Sequence, residues 1–354
     1  VSSIPVYDPE NETGKIPAQG IKAEVRGKGS MDSLIVSSSP HIRGEKTTRG
    51  IMGDVLIALV PCVIAGTIYF GFRALLLVAI TTATAILTEY ISRIVMKRQQ
   101  TAGDLSAAVT GVILGLILPP GCDYFAAMFG AVVAIVVVKQ MFGGIGFNFA
   151  NPACTARIIL LLSFSSMAIY SGTVFMADAA AAATSATTSA TSAATDAITN
   201  ATPLAAGSGA YKYFDLFIGN RGGCIGETSV IAVLIGFIYL VARKIINPII
   251  PLSFVGSVAL IALISGEDVL LQVMSGGLLF GAVFMATDYA TSPISNWGKA
   301  VFGVGCGLIT MLIRLYGKMP EGVSYAILVM NIINPAIDNL FSPVPFGSKR
   351  RALK

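Results

Sequence analysis

From residue 51 to residue 340 the chain alternates long apolar runs with short polar breaks. The runs lie near 52–70, 73–93, 103–119, 122–140, 154–172, 228–243, 249–266, 269–286, 297–316 and 322–340. Helical crossing of a bilayer takes roughly 20 apolar residues. Several runs fall short of it, 104–119 and 228–240 among them. Short or glycine-interrupted spans mark proteins whose helices break around an internal site. Their freed backbone must be shielded by protein or water. The pattern predicts an all-α polytopic membrane protein with about ten transmembrane helices.

Composition supports that reading. Hydrophobic residues make up 54% of the 354 positions and charged residues only 12%, against roughly 25% charged in soluble domains. No secretory signal peptide is expected at the start. Five scattered cysteines, Cys62, Cys122, Cys154, Cys224 and Cys306, form no close pair and read as small packing residues. A single histidine, His41, argues against a histidine-rich metal or haem site. The net charge of +5 does not imply nucleic acid, because the basic residues gather at segment ends, where membrane topology explains them.

Charge also orients the chain. With the N-terminus inside, nineteen of the 24 Lys and Arg residues fall on inner regions, and only Arg73, Lys212, Arg221, Arg314 and Lys318 fall outside. This places residues 173–227 on the extracytoplasmic side and both termini in the cytoplasm. The expected divisions are a polar approach at 1–50, a membrane half at 51–172, the polar insert at 173–227, a second membrane half at 228–341 and a basic tail at 342–354. Five spans on each side of the insert predict two inverted repeats. Asn151-Pro152-Ala153 and Asn334-Pro335-Ala336 are a loose internal echo.

The insert is rich in Ala, Thr and Ser from Ala179 to Ala201. That composition builds no core by itself, and a plain linker is one reading. The other is chemical: a threonine hydroxyl can form a phosphoester with FMN. Thr202 precedes Pro203, which favours extended backbone, and Thr199 is the nearest competing hydroxyl.

Several runs, in order, resemble one family. They are Ser39-Pro40-His41-Ile42-Arg43, Thr47-Thr48, Ile51 to Leu59, Leu118-Pro119-Pro120, Asn148 to Ala153, Gly219 to Ser229 and Ala286 to Pro293. Over roughly residues 34–345 the chain resembles the RnfD family, the D subunits of the Rnf complex, a membrane-bound ferredoxin:NAD oxidoreductase. It is more distantly similar to the B subunits of the sodium-pumping NADH:quinone oxidoreductase. The resemblance implies covalent FMN on the last residue of Asp196-Ala197-Ile198-Thr199-Asn200-Ala201-Thr202, with Asn200 standing where the family has glycine. Asn tolerates a left-handed turn. It also implies a second flavin, riboflavin or FMN, held noncovalently in an apolar slot with a few polar groups. Candidates to line it are Asn148, Asn151, Asp288, Tyr289 and Thr291, with Glu227 and Thr228 approaching from the outer side. For Asp288 and Glu227 the competing role is to cap helices or bond to neighbouring backbone.

Expected partners are the C, G, E, A and B subunits of the Rnf complex, with electron exchange to the flavinylated G subunit, and iron–sulfur centres and the NAD site elsewhere in the complex. The chain itself is expected to hold no metal and no catalytic residue, to lie in the inner membrane among lipid, and to couple electron flow to sodium or proton movement. A secondary transporter and a structural scaffold are the alternatives. Glu89 is expected to pair with Arg93 one turn on, Asp54 and Asp104 to sit at helix N-termini, and the glycine runs to allow close approach of helices or ligand.

Overall fold

The computed structural model describes residues 47–164, Leu204, 213–317 and 322–341. Thr199 and Thr202, with the rest of 165–203, lie outside the described residues, as do 1–46 and 342–354. Every described helix belongs to one compact unit, Lys46–Lys354.

Helix α1 runs from Thr48 to Phe70 behind Thr47, whose hydroxyl accepts the Gly50 amide at 3.1 Å. Gly71, at φ 75°, ends it and lets α2 (Phe72–Val95) begin at once. These two helices, with α11 (Asn296–Tyr316) and α12 (Gly322–Phe341), are long and apolar enough to cross a membrane. Five shorter apolar helices accompany them: α3 (Ser106–Ile117), α4 (Tyr124–Val133, continuing in π-helical form over Ala134–Gln140), α5 (Pro152–Ser163), α7 (Val230–Ala242) and α8 (Ile249–Ser265). Helix α6 (Tyr213–Ile218) precedes α7. Between α8 and α11 come α9 (Val269–Met274) and α10 (Leu278–Phe280, continuing as a π turn over Gly281–Met285). Large apolar side chains face outward all round the bundle, among them Ile57, Ile64, Phe72, Leu87, Leu263 and Leu312. An exposed apolar surface of that extent belongs to a lipid-facing wall, and the chain is an all-α polytopic membrane protein.

Two of the expected spans are not continuous helices. Helix α3 has 12 residues, about 18 Å of rise, against a hydrocarbon core of roughly 30 Å. It begins after a 3-10 turn at Ala102–Asp104 and a left-handed Leu105, and is buried on nearly all sides. The segment expected at 269–286 breaks at Ser275–Gly277, where Gly276 and Gly277 take φ of 65° and 68°. Only glycine enters that region without strain.

Glycines set the tightest helix contacts. A Cβ on Gly111 would lie 2.6 Å from Thr82 Cα, and one on Gly115 2.8 Å from Val78 Cα, so α3 seats directly on the α2 backbone. Gly303 and Gly307 do the same for α11 on α8, where added Cβ atoms would lie 2.9 Å from the Ile250 carbonyl and 3.0 Å from that of Phe254. Small residues four apart permit this approach where apolar lipid offers no hydrophobic drive to association. Besides the neighbours α2 with α3 and α11 with α12, helices that pack together include α1 with α7, α2 with α4, α8 with α11, and α5 with α12.

Gly111→Leu is expected to drive side chain into the α2 backbone and cost about 1–3 kcal/mol, as overpacking does. Gly256→Ala, where no atom lies within 4 Å of the new Cβ, is expected to be neutral. Thermal unfolding of the two variants in the same detergent checks the contrast.

Candidate functional site

At the end of the bundle where α1 begins, helices α1, α3, α4, α7 and α10 and the 145–153 segment enclose a cavity of about 330 Å³. That is within the roughly 300–1,000 Å³ of small-molecule sites. Ile51, Met52, Val55, Val109, Ile113 and Phe284 supply its apolar wall. Asn148, Asn151, Asp288 and Tyr289 also line it, so four of the candidate residues converge on one space.

Their roles differ. Asn151 caps α5: its Oδ1 accepts the amides of Ala153 and Cys154 at 3.0 and 3.2 Å, and its Nδ2 donates to the Met285 carbonyl at 3.1 Å. Its amide oxygen is therefore spent on the cap, and one of its two N–H donors on Met285. Asp288 closes the turn after α10, accepting from the Ala290 amide and the Thr291 hydroxyl at 3.5 and 3.4 Å. Thr291 is buried beside it but does not line the cavity. The Tyr289 hydroxyl donates to the Ile245 carbonyl. Asn148 is different, because its buried Oδ1 has no hydrogen-bond partner. A buried acceptor left in this state costs about 1–3 kcal/mol, and a ligand N–H entering the cavity would satisfy it. The imide N–H of a flavin ring is such a donor, and the apolar wall suits the rest of the ring.

Lys139 joins the cavity wall through the π-helical end of α4. Its extra residue per turn brings Lys139 and Gln140 inward together, a deviation found at functional sites. The ammonium lies 3.0 Å from Glu89 Oε1 and donates to Ser106 Oγ at 2.6 Å. Thr101 and Gln140 Nε2 donate to the same Glu89 oxygen at 3.1 and 2.9 Å. Glu89 thus pairs with Lys139 and not with Arg93. A surface pair one turn apart gains a few tenths of a kcal/mol, whereas here both partners are buried and the tertiary partner brings a hydrogen-bond network. Arg93 turns instead toward Gly144. Asp54, expected to act through the helix end, accepts from Tyr239 at 2.9 Å and Arg243 at 3.3 Å and so ties α1 to α7.

Glu227 and Thr228 belong to a second polar centre. The 219–229 loop enters the bundle beside the other end of α1, where the Ile225 and Gly226 amides donate to the Leu118 and Leu116 carbonyls at 3.2 and 2.7 Å. A Cβ on Gly66 would lie 2.8 Å from the Ile225 carbonyl, and Gly66 is about 16 Å along α1 from Val55 at the cavity. Neither Glu227 nor Thr228 lines the cavity. Glu227 pairs with Arg157 at 2.8 Å, and its carboxylate packs on Gly277 in the break between α9 and α10. Arg221 donates to Ser275 Oγ and the Glu227 carbonyl. Arg314 donates to the Gln272 carbonyl and Oε1 at 2.7 and 3.1 Å, and to the Ser275 and Gly276 carbonyls at 3.1 and 3.4 Å. Just beyond this centre, Tyr213 donates to Asp268 at 2.6 Å and holds that carboxyl below its ordinary range.

Lys139, Gln140, Arg157 and Arg314 were not among the sequence candidates. Lys139 carried a signal that could have found it: it directly follows an apolar run from Ala131 to Val138, so its charge had to find a partner inside the bundle. No group of three or more metal-ligating side chains occurs among the described residues, and all five cysteines are buried and unbridged.

Replacing Arg314 by Leu strips donors from the carbonyls at the helix break, each worth about 1–3 kcal/mol when buried and unpaired. Arg314→Lys is expected to behave more like Arg314→Leu than like wild type, since one ammonium cannot span the acceptors a planar guanidinium reaches. Unfolding midpoints in detergent check this order.

Residues 35–347 match the model of the NQR2, RnfD, RnfE family. The chain is 44% identical over 318 residues to the D subunit of the Na(+)-translocating ferredoxin:NAD(+) oxidoreductase complex of Acetobacterium woodii, covering 89% of this chain and 96% of that one. It is 36% identical over 322 residues to the D subunit of the proton-translocating ferredoxin:NAD(+) oxidoreductase complex of Clostridium ljungdahlii, with the same coverage. It is also 33% identical over 338 residues to the D subunit of the ion-translocating oxidoreductase complex of Stutzerimonas stutzeri, covering 85% and 92%. With a family model spanning nearly all of its length and relatives matched almost end to end, the chain belongs to the NQR2, RnfD, RnfE family.

Proposed function

We propose that this chain is the flavin-carrying membrane subunit of an ion-translocating ferredoxin:NAD oxidoreductase complex. The observation that carries the reading is the near end-to-end match to relatives named as the D subunits of such complexes, joined to the Asp196–Thr202 motif. In this reading FMN is esterified to Thr202 on the extracytoplasmic side, and riboflavin or FMN occupies the cavity lined by Asn148 and Lys139. Flavins bring one- and two-electron chemistry, and the protein brings position and electrostatics. Asn148 Oδ1 would accept from the ring, Asn151 and Asp288 would hold the cavity wall in shape through their backbone contacts, and the apolar wall would exclude water.

The proposed topology has both termini in the cytoplasm, ten crossings and two five-helix inverted repeats. The matched helix pairs, α2 with α4 and α8 with α11, support the repeat. So do the interrupted segments at corresponding places in the two halves, the first around α3 and the second at α9–α10. The cavity then lies toward the cytoplasm and Thr202 on the opposite face. The C, G, E, A and B subunits would supply the iron–sulfur centres, the NAD site and the flavinylated partner, with coupling to sodium or protons.

Thr202→Ala, made in cells that contain the flavin transferase, is expected to lose a covalent adduct of about 438 Da. In-gel flavin fluorescence of the denatured chain is lost with it. A wild-type chain with neither adduct nor fluorescence under those conditions overturns the assignment and favours a transporter or scaffold.

A further inference from the structure

Among the described residues that line the cavity, and apart from Tyr289, two are ionisable, Lys139 and Asp288. Asp288 is turned into its own loop through Ala290 and Thr291. Lys139 is held from behind: Glu89 and Ser106 take two of its three donors, and an ammonium has a third. Glu89 is itself fixed by Thr101 and Gln140. Side-chain exposures of 2% for Lys139 and 1% for Glu89 leave little water to screen the pair, so its dipole acts on the cavity at low effective dielectric. The positive end is the one that belongs to the cavity wall, and Glu89 does not line it.

We propose that Lys139, anchored by Glu89, is the residue that sets the electron affinity of the cavity's occupant. This rests on the flavin reading of the cavity. Lys139 presents a fixed positive charge to a ring that gains negative charge on reduction. It thereby favours the reduced form over the oxidised one. The step is an electron transfer alone: one electron arrives from an iron–sulfur centre or flavin of a partner subunit, no covalent bond forms or breaks, and Lys139 keeps its proton. Because the ammonium is preorganised, no side chain need move to meet the new charge. The ion pair then has a role that its stability alone does not supply, since a buried pair often contributes little against an apolar substitute.

The test uses the assembled complex and two readouts, the noncovalent flavin content after denaturing extraction and the midpoint potential of that flavin. The variant Glu89→Gln keeps the shape of the anchor but removes its opposing charge, so at a pH low enough for the unpaired buried ammonium to keep its proton the potential is expected to rise. The paired variant Glu89→Gln with Lys139→Met leaves no unpaired charge in the membrane, and its potential is expected to fall below wild type. A tenfold loss of preference for the reduced form reads as about 59 mV for a one-electron couple. Flavin retained with an unchanged potential in both variants, or shifts of the opposite sign, overturns the assignment of Lys139 while leaving the cavity reading intact. If the paired variant does not assemble, the direction in Glu89→Gln decides by itself. A wild-type complex with no noncovalent flavin attributable to this chain overturns the cavity reading itself.

Discussion

Inside hydrocarbon a backbone amide or carbonyl that leaves regular helix has no water to bond to, and the architecture follows from meeting that constraint. The break between α9 and α10 exposes carbonyls from Gln272 to Gly276, and the Arg314 guanidinium reaches back from α11 to take them. The 219–229 loop has the same need, met by the Leu116 and Leu118 carbonyls at the end of short α3 and by Arg221. Each interruption is covered by a group from another helix.

Charge is confined in the same way. Arg157, Arg221, Arg314 and Glu227 gather around one break, and Lys139 and Glu89 meet around the π-helical end of α4. The two centres stand at different heights along α1. They divide the work: one holds together irregular backbone, and the other faces a cavity with an unsatisfied Asn148 acceptor. A carboxylate and an ammonium buried together without a ligand nearby would be costly ornament. Here Lys139 lines a cavity and Glu89 stands behind it.

Most of the helices were legible in the sequence because lipid imposes a length and an apolar composition on anything that crosses it. The runs at 52–70, 73–93, 297–316 and 322–340 coincide with α1, α2, α11 and α12 to within a few residues. The glycine pairs were legible as packing surfaces, since small residues four apart have few other uses on a membrane helix. Family resemblance led to the expectation that Asn148, Asn151, Asp288, Tyr289 and Thr291 share one slot with Glu227 and Thr228 nearby; the first four line one cavity, and the other three do not. The differing tasks of those four were not legible. Only geometry distinguishes Asn151, whose amide oxygen is consumed by capping α5, from Asn148, whose oxygen is left for another donor.

By itself, then, the chain's pattern determined the class, the placement of apolar helices and the family, because each depends on local composition and order. The partners of its charges were decided by the tertiary structure. Glu89 has Arg93 a turn away yet meets Lys139, fifty residues on, because burial rewards the pair that can also share Thr101, Ser106 and Gln140. Glu227 and Asp288 read alike as membrane carboxylates, and folding sends one to an arginine at a helix break and the other to a cavity wall. Long-range electrostatic pairing depends on which helices touch, and no local pattern of residues encodes that.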